Sequence, residues 1–210
     1  RAARIARPRG VPILGINLGR LGFMTELNAE DALTKVPDFI EGMGWVEERA
    51  MLQAELVSAN IPPLHALNDV VVGRGERCRL IRVKATIDGE LLTTYKCDGL
   101  IVATATGSTG YSLAAGGPIL HPQSEEMLLK PIAAHLSLAS ALVLPSEATV
   151  ELEVSTTHRA TLSIDGQIEV PLSDGDVVRV KRSTYITKML RAEWPAAFYS
   201  TLMPKLEKRE

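Results

Sequence analysis

The chain has 210 residues, of which 46% are apolar and 4% aromatic, and its formal net charge is −2. This length suits one large domain or a domain with a fragment of another, and the apolar share is ample for a buried core. The near-neutral charge and the scarcity of aromatic residues argue against nucleic-acid binding, so we expect no nucleic-acid partner. The longest apolar run, 132–144, is too short to cross a bilayer, so we expect no membrane partner.

The first 45 residues have the pattern of an α/β fold. Residues 1–7 are rich in Ala and Arg and predict a helix that Pro8 ends. The apolar run 11–16 predicts a strand of the kind that is buried in a parallel sheet. After a glycine-punctuated turn at 17–23, Asn28 or Asp31 can cap a helix that runs to about Met43. The apolar positions on one face of that helix are Leu33, Val36, Phe39 and Ile40. Strand, turn and helix in this order indicate the C-terminal part of a doubly wound α/β domain at 1–45.

From residue 46 the hydrophobic period changes to two, which is typical of half-buried strands. The alternating apolar positions are Ile81, Val83, Ala85 and Ile87, then Val150, Leu152 and Val154, then Val178 and Val180. Asp-Gly pairs at 88–89, 165–166 and 174–175 lie between such runs, as hairpin turns require. We therefore predict a mostly antiparallel, β-sandwich-like domain at 46–190. The last segment, 191–210, contains a predicted helix from Trp194 to Leu206.

The two cysteines, Cys78 and Cys97, lie on strand-like segments without a CxxC or histidine spacing. We interpret them as small core residues in a reducing compartment rather than as a disulfide or a zinc site. This indicates a cytoplasmic protein.

The segment 98–122, DGLIVATATGSTGYSLAAGGPILHP, is the strongest candidate for a site. A short buried strand feeds a turn of small and hydroxyl residues and then a helix start, which lets backbone N–H groups converge on an anion. The alternative is a buried turn that binds nothing, but the length of the turn, its acid and its tyrosine favour a site. No Lys follows the glycines as in a P-loop, and the absence of GxGxxG after an early strand disfavours a Rossmann-type hydride-transfer enzyme.

This segment resembles the glycine-rich signature of the NAD kinase family. Three further segments resemble that family in order and spacing: GINLGRLGFMTEL (15–27), LNDVVV (67–72) and SIDGQ (163–167). The resemblance implies an α/β domain, a β-sandwich domain that binds NAD, a C-terminal segment that packs back on the α/β domain, and homodimers or homotetramers. It implies transfer of the terminal phosphate of ATP, or of polyphosphate, to the 2′-hydroxyl of the adenosine ribose of NAD, with NADP as product. A divalent cation, Mg²⁺, is expected to bridge the donor phosphates.

The resemblance also assigns the residues that contact the dinucleotide, and these are Asn68, Asp69, Asp98, Thr106, Thr109, Gly110 and Tyr111. An amide and a carboxylate can together bind ribose hydroxyls. The alternative for this pair is a turn at a strand start, and the resemblance favours the site. Asp98 is expected to point into the same cleft. Asp165 has two interpretations that the sequence leaves open, a hairpin turn residue and a residue beside the active site. For Arg20 an ion pair is favoured over a contact to phosphate.

One family motif, GGDGT, does not occur in this sequence, and its Asp is the residue that the family uses at the reacting hydroxyl. We therefore assign no catalytic residue and no metal ligand, and we expect the 210-residue chain alone to be inactive. Two other functions remain open. One is a non-catalytic NAD(P)-binding or sensor module. The other is a lipid or diacylglycerol kinase of the same superfamily, which would need an apolar acceptor groove.

Overall fold

The computed structural model describes residues 1–19, 24–75, 79–135, 138–192 and 197–207. Arg20 and Cys78, both considered above, lie outside the described residues, as does the start of the predicted C-terminal helix at 194–196. The chain forms two compact units, Arg1–Arg49 with Ile186–Glu210, and Ala50–Tyr185. The predicted domain boundaries at residues 45 and 190 stay predictions.

The structure contains four helices within its described residues and a larger number of strands. The helices are α1 (Ala2–Ala6), α2 (Ala29–Ile40), α3 (Tyr111–Ala114) and α4 (Ala197–Glu207), with 3₁₀ turns at Arg7–Arg9 and Gly107–Thr109. The strands are β1 (Ile16–Asn17), β2 (Leu27–Asn28), β3 (Trp45–Leu56), β4 (Leu64–Ala66), β5 (Asp69–Arg74), β6 (Ile81–Ile87), β7 (Glu90–Cys97), β8 (Gly99–Ala103), β9 (Met127–Ile132), β10 (Leu142–Leu144), β11 (Val150–Ser155), β12 (Ala160–Ile164), β13 (Ile168–Leu172) and β14 (Val177–Arg191). None of the helices in this described part of the chain is long and apolar enough to span a bilayer.

The predicted strand at 11–16 is wrong. Only Ile16 belongs to a strand, β1, which pairs in parallel with β2, and Ile13 makes a single parallel bridge to Met189. Val11 and Ile16 remain partly exposed. An apolar run shows that a segment can be buried, but it does not specify the neighbouring strand whose hydrogen bonds would make it a β-strand.

Helix α2 begins where the sequence indicated, because the Asn28 side chain accepts a hydrogen bond from the Asp31 backbone N–H at 2.8 Å. It ends at Ile40 rather than near Met43. The apolar stripe is not a core face, since Leu33 is 89% exposed and Ile40 is 81% exposed. The spacing predicted the helix correctly but not its burial.

Four buried charged groups connect separate segments of the first unit. Arg191, at the end of β14, donates to Glu47 at 2.7 Å and to Glu26 at 3.0 Å. Arg49 donates to the same Glu47 carboxylate at 2.6 Å. Burial lowers the pKa of Arg49, and Glu47 opposes that shift. Two guanidinium groups and two carboxylates thus neutralise one another, which is the condition under which buried charges are tolerated.

The second unit confirms the predicted antiparallel β-sandwich. Its first sheet has the order β10-β9-β8-β5-β12-β13, and its second sheet has the order β4-β3-β14-β11-β6-β7. Val70 and Val72 of the first sheet share one apolar core with Val83 and Ala85 of the second. The turns at 88–89 and 165–166 join paired strands, as predicted. The turn at 174–175 does not, because β13 and β14 belong to different sheets.

The outer face of the first sheet carries a smaller apolar cluster of Ile101, Ala103 and Leu128, against which Ala115 and Leu120 pack. The predicted buried strand at 100–103 is therefore confirmed as β8, whose five residues are all buried. Because β8 is covered on both faces, its sequence is continuously apolar instead of alternating. The chain leaves β8 directly into the turn at 104–110.

The sandwich core holds two polar side chains on β7. Cys97 is fully buried and free, and burial raises the pKa of its thiol to about 11. Tyr95 is also fully buried, and its hydroxyl has no hydrogen-bond partner among the described residues. Burial is the main cause that raises the pKa of Tyr95. An unsatisfied buried hydroxyl costs about 1–3 kcal/mol of stability.

We predict that Tyr95→Phe increases the free energy of unfolding by about 1 kcal/mol, because the unfolded tyrosine regains water that the folded hydroxyl lacks. Urea denaturation of the wild type and the variant measures the difference. Tyr185→Phe is the control, because Tyr185 is 40% exposed and its change is expected to stay within about 0.5 kcal/mol. A loss of stability in Tyr95→Phe would show that the hydroxyl has a partner.

Candidate functional site

The antiparallel pairing of β5 with β8 brings two of the predicted motifs together. Asp69, the first residue of β5, is paired with Ala103, the last residue of β8. Asn68 therefore lies beside Thr104, and the Thr104 backbone N–H donates to the Asn68 carbonyl at 2.9 Å. The LND motif and the Gly/Thr turn thus form one junction at this end of the first sheet.

Two hydroxyl groups of the turn hold its own backbone. Thr104 Oγ1 donates to the Leu67 carbonyl at 2.6 Å and accepts from the Gly107 N–H at 3.0 Å. Ser108 Oγ donates to the Ala105 carbonyl at 2.6 Å and accepts from the Leu120 N–H at 3.0 Å. These hydrogen bonds within the protein explain why the turn is partly rich in hydroxyl residues, and no ligand is needed for that part. The sequence did not identify Thr104 as a residue that positions the site.

Gly107 is the point of closest approach between the turn and the LND segment. A Cβ atom at this position would lie less than 3.0 Å from the carbonyl oxygen, the carbonyl carbon and the Cα of Asn68. These are backbone atoms, which cannot move aside as a flexible side chain can. The glycine is therefore required by packing, since only a residue without a Cβ permits this contact.

Asp165 also binds the backbone of the LND segment, through its side-chain carboxylate. It lies in the turn between β12 and β13 with a φ of 52°. Its carboxylate accepts the backbone N–H groups of Leu67 at 3.0 Å, Asn68 at 2.7 Å and Asp69 at 3.2 Å. The hairpin interpretation of Asp165 is confirmed, and the residue also contacts the predicted dinucleotide-binding pair through the backbone of that pair.

Asp69 is a buried carboxyl group, 7% exposed. Burial is the larger cause and the nearby Asp165 carboxylate the smaller one, and together they raise the pKa of Asp69 to about 6. Because the folded pKa lies above the unfolded value, Asp69 favours folding most below about pH 4 and loses that contribution as the pH rises through about 6. Ionised Asp69 is therefore a cost to folding at neutral pH.

The structure does not bring Asp98 beside Asn68. Asp98 precedes β8, whereas the Gly/Thr turn follows it, so the length of the strand separates them. Along β5 the interval from Asn68 to Arg74 is six residues, or roughly 20 Å. The Asp98 carboxylate forms an ion pair with Arg74 at 3.0 Å. Asp98 is thus distant from Asn68, although it lines one cavity with Tyr111, which directly follows the Gly/Thr turn. Its place in one cleft with the other predicted residues stays a prediction.

A cavity of about 360 Å³ lies over the outer face of the first sheet. Its lining includes Asp98 and Tyr111 of the predicted set, and Tyr111 is 48% exposed. The sequence did not identify its other polar lining residues, which are Arg74, Thr161, Ser163 and Glu169. The signal for two of them was present, because Thr161 and Ser163 alternate with buried apolar residues in the strand that leads into SIDGQ.

The remaining predicted residues lie in the turn itself. Thr106 and Thr109 are both 7% exposed, and Thr109 Oγ1 donates to the Thr106 carbonyl at 3.2 Å. Gly110 separates the 3₁₀ turn from α3. Within the part of the chain that the structure describes, no three His, Cys, Asp or Glu side chains are grouped to hold a metal ion.

Two family profiles match the chain. The ATP-NAD kinase C-terminal domain matches residues 67–192, and the ATP-NAD kinase N-terminal domain matches residues 1–43. A protein named NAD kinase from Dehalococcoides mccartyi (strain CBDB1) is 48% identical over 210 residues, which cover 99% of this chain and 74% of the relative. A NAD kinase from Chloroflexus aurantiacus (strain ATCC 29366 / DSM 635 / J-10-fl) is 40% identical and is covered to 76%.

Two solved structures are similar to this fold. A NAD kinase from Archaeoglobus fulgidus in complex with ATP superimposes with a TM-score of 0.81 at 29% identity, covering 94% of this chain and 74% of that one. Yeast NADH kinase complexed with NADH gives a TM-score of 0.80 at 29% identity, covering 91% of this chain and 58% of that one.

We predict that Gly107→Ala displaces the LND segment and destabilises the protein by more than about 1 kcal/mol, because a Cβ cannot fit against the Asn68 backbone. Thermal unfolding measures this change. Gly19→Ala is the control, since a Cβ at Gly19 meets no atom within 4 Å. Equal melting temperatures for the two variants would contradict the close approach.

Proposed function

The chain belongs to the NAD kinase family, and on that premise we propose that it binds the acceptor NAD for transfer of a terminal phosphate to the 2′-hydroxyl of the adenosine ribose, which gives NADP. The observation that carries this proposal is the 48% identity to a protein named NAD kinase along 99% of this chain. The solved relatives, one with NADH and one with ATP, support both classes of ligand.

The acceptor is held, in this proposal, by the junction of the LND segment with the Gly/Thr turn. The Asn68 amide can donate and accept, and the Asp69 carboxylate can accept two ribose hydroxyls. Thr106, Thr109 and Gly110 shape the wall beside them. Phosphoryl transfer depends mainly on such positioning and on charge neutralisation, since the protein does little covalent chemistry.

Tyr111 and Asp98 line the cavity over the outer face of the sheet. Tyr111 presents an amphipathic ring that can cover a planar group of the ligand. Asp98 offers carboxylate oxygens to hydroxyl or amino groups, beside its ion pair with Arg74. We propose that both residues contact the dinucleotide, with Tyr111 directly after the Gly/Thr turn and Asp98 at the other end of β8.

The phosphoryl donor is ATP, with polyphosphate as an alternative donor, and Mg²⁺ is expected to accompany it. Mg²⁺ is commonly bound through substrate phosphates and only one or two carboxylates. This mode fits the described residues, which contain no group of three side chains for a dedicated metal site. Mg²⁺ would neutralise the charge of the donor phosphates when bound.

A second function, a non-catalytic NAD(P)-binding module, is favoured by one observation, the absence of GGDGT from the 210 residues. We therefore propose that this chain by itself binds the dinucleotide without turnover. A lipid kinase is disfavoured, because the cavity is lined by charged and hydroxyl groups such as Arg74, Asp98 and Ser163 and not by an apolar groove.

We also propose that the chain forms a homodimer or a homotetramer through its β unit, as the resemblance implies. Size-exclusion chromatography with light scattering is expected to give two or four times the mass of the 22.7 kDa chain. A monomer at high micromolar concentration would reject this part of the proposal.

For the binding function, we predict that calorimetry detects NADP binding to the wild type and a roughly tenfold weaker affinity in Asn68→Ala, because a hydrogen-bonding side chain at the ligand is lost. Glu48→Gln is the matched control, since Glu48 is an exposed residue of the other unit.

Phosphoryl transfer is tested by supplying ATP, Mg²⁺ and NAD to the chain alone and to the same chain fused behind a segment that contains GGDGT. We expect NADP formation only from the fusion. Comparable turnover by both would reject the proposed inactivity, and phosphorylation of a diacylglycerol instead of NAD would reject the substrate class.

A further inference from the structure

We propose that Asp165 is the positioning residue of the dinucleotide site: its carboxylate fixes the backbone at 67–69, so that the Asn68 and Asp69 side chains are presented to the ligand, and it does not contact the ligand itself. This inference rests on the proposed function. It assigns Asp165 a role that neither a simple turn nor a direct ligand contact describes.

The backbone of 67–69 shows why Asp165 is needed. Its three N–H groups all donate to the Asp165 carboxylate. Its three carbonyl groups are also engaged, at Leu67 by Thr104 Oγ1, at Asn68 by the Thr104 N–H and at Asp69 by the Asp165 N–H. All six main-chain polar groups therefore bond to protein groups, and the side chains of Asn68 and Asp69 are what remains to meet a ligand.

The two oxygen atoms of the Asp165 carboxylate accept hydrogen bonds from different backbone N–H groups. Oδ1 accepts from Asn68 and Asp69, and Oδ2 accepts from Leu67. Three successive N–H groups that converge on one point form a concave anion-binding arrangement. In many proteins such an arrangement binds a ligand anion, but here a side-chain carboxylate fills it. A bound phosphate is therefore excluded from these amides as long as Asp165 stays in place.

The position of Asp165 also explains its residue type. Its φ of 52° is left-handed, a region that Asn, Asp and Gly adopt more readily than other residues. Asn would keep the turn and one acceptor oxygen. Its amino group would face the Leu67 N–H, however, and two donors cannot form a hydrogen bond with each other. Only Asp both suits the turn and supplies acceptors on both sides.

The charges around Asp69 link this contact to the site. The Asp165 carboxylate raises the pKa of Asp69 beyond the effect of burial. On the neighbouring strands, Ala103 of β8 is the partner of Asp69, and Ile164 of β12 is the partner of the next residue, Val70. These neighbours carry no charge, so Asp165 is the charged group that acts on Asp69 among the described residues. Removing its charge should lower the pKa of Asp69.

The chain contains a matched control in Asp88. It lies in the Asp88-Gly89 turn with a φ of 51°, nearly the value at Asp165. Its N–H donates to the Thr149 carbonyl at 2.9 Å, and its carboxylate accepts the Thr149 N–H at 2.8 Å. Asp165 makes the same reciprocal pair with Asp69. Asp88 lies outside the proposed site, so it reports what an Asp-Gly turn contributes by itself.

The experiment compares Asp165→Asn with Asp88→Asn in the full 210-residue chain by three measurements. They are the ¹³C pH titration of the Asp69 carboxyl, the hydrogen-exchange rates of the amides at 67–69, and the NADP affinity by calorimetry. For Asp165→Asn we expect a titration midpoint below the wild-type value of about 6, exchange at least about tenfold faster and affinity at least about tenfold weaker. Asp88→Asn should change none of the three.

Unchanged exchange or an unchanged Asp69 midpoint in Asp165→Asn would overturn the proposal, as would faster exchange with full NADP affinity. If Asp165→Asn fails to fold, Asp165→Gly replaces it, because glycine tolerates the same φ and removes the carboxylate. A wild-type chain that does not bind NADP would reject the proposed function, while exchange and titration would still decide whether Asp165 holds the segment.

Discussion

The pairing of Asp69 with Ala103 is the constraint on which the candidate site depends. It places the first residue of β5 beside the last residue of β8, so two motifs that are 30 or more residues apart in sequence meet at one end of a sheet. A shift of this register by one residue would turn every side chain of β5 to the opposite face. Two further contacts then fix how the turn lies against the LND segment. They are the close approach of Gly107 to the Asn68 backbone and the hydrogen bond from Thr104 Oγ1 to the Leu67 carbonyl.

Three hydroxyl groups of the turn donate to backbone carbonyl groups, those of Thr104, Ser108 and Thr109. Thr104 and Ser108 each bond twice or more to backbone groups, so they are explained as parts of the turn. A count of hydroxyl residues therefore overstates how many are available to a ligand. Thr109 Oγ1 also donates to a backbone carbonyl, that of Thr106. A ligand contact at Thr106, Thr109 and Gly110 therefore stays a proposal, whereas Thr104 is a support of the turn.

The sequence predicted the sandwich because period-two alternation is a local signal that the burial of Val83, Ala85, Val150 and Leu152 confirms. The predictions from sequence were wrong where the structure of a segment depends on the neighbouring segment that pairs with it or covers it. Among the described residues, the run at 11–16 has only the Ile13–Met189 bridge and the pairing of Ile16 with Leu27, and the stripe on α2 remains exposed at Leu33. The separation of Asp98 from Asn68 was also missed, although it follows from strand direction alone. The contact of Asp165 with 67–69 was beyond prediction, because it joins residues almost 100 positions apart through backbone atoms.

Asp69 gives the strongest physical reason to regard the junction as more than a well-packed turn. Its carboxyl group is buried, has no cation within ion-pair distance among the described residues, and lies near a second carboxylate, so its ionised form is a cost to folding at neutral pH. An apolar or amide side chain would relieve that cost, and all six main-chain polar groups of 67–69 bond to protein groups. A fold that retains an unfavourable charge at a place where its hydrogen bonds leave side chains unengaged is typical of a binding site, where local stability is given up for function. The cost of the acidic side chain to the fold therefore supports the ligand contact that we propose for Asp69.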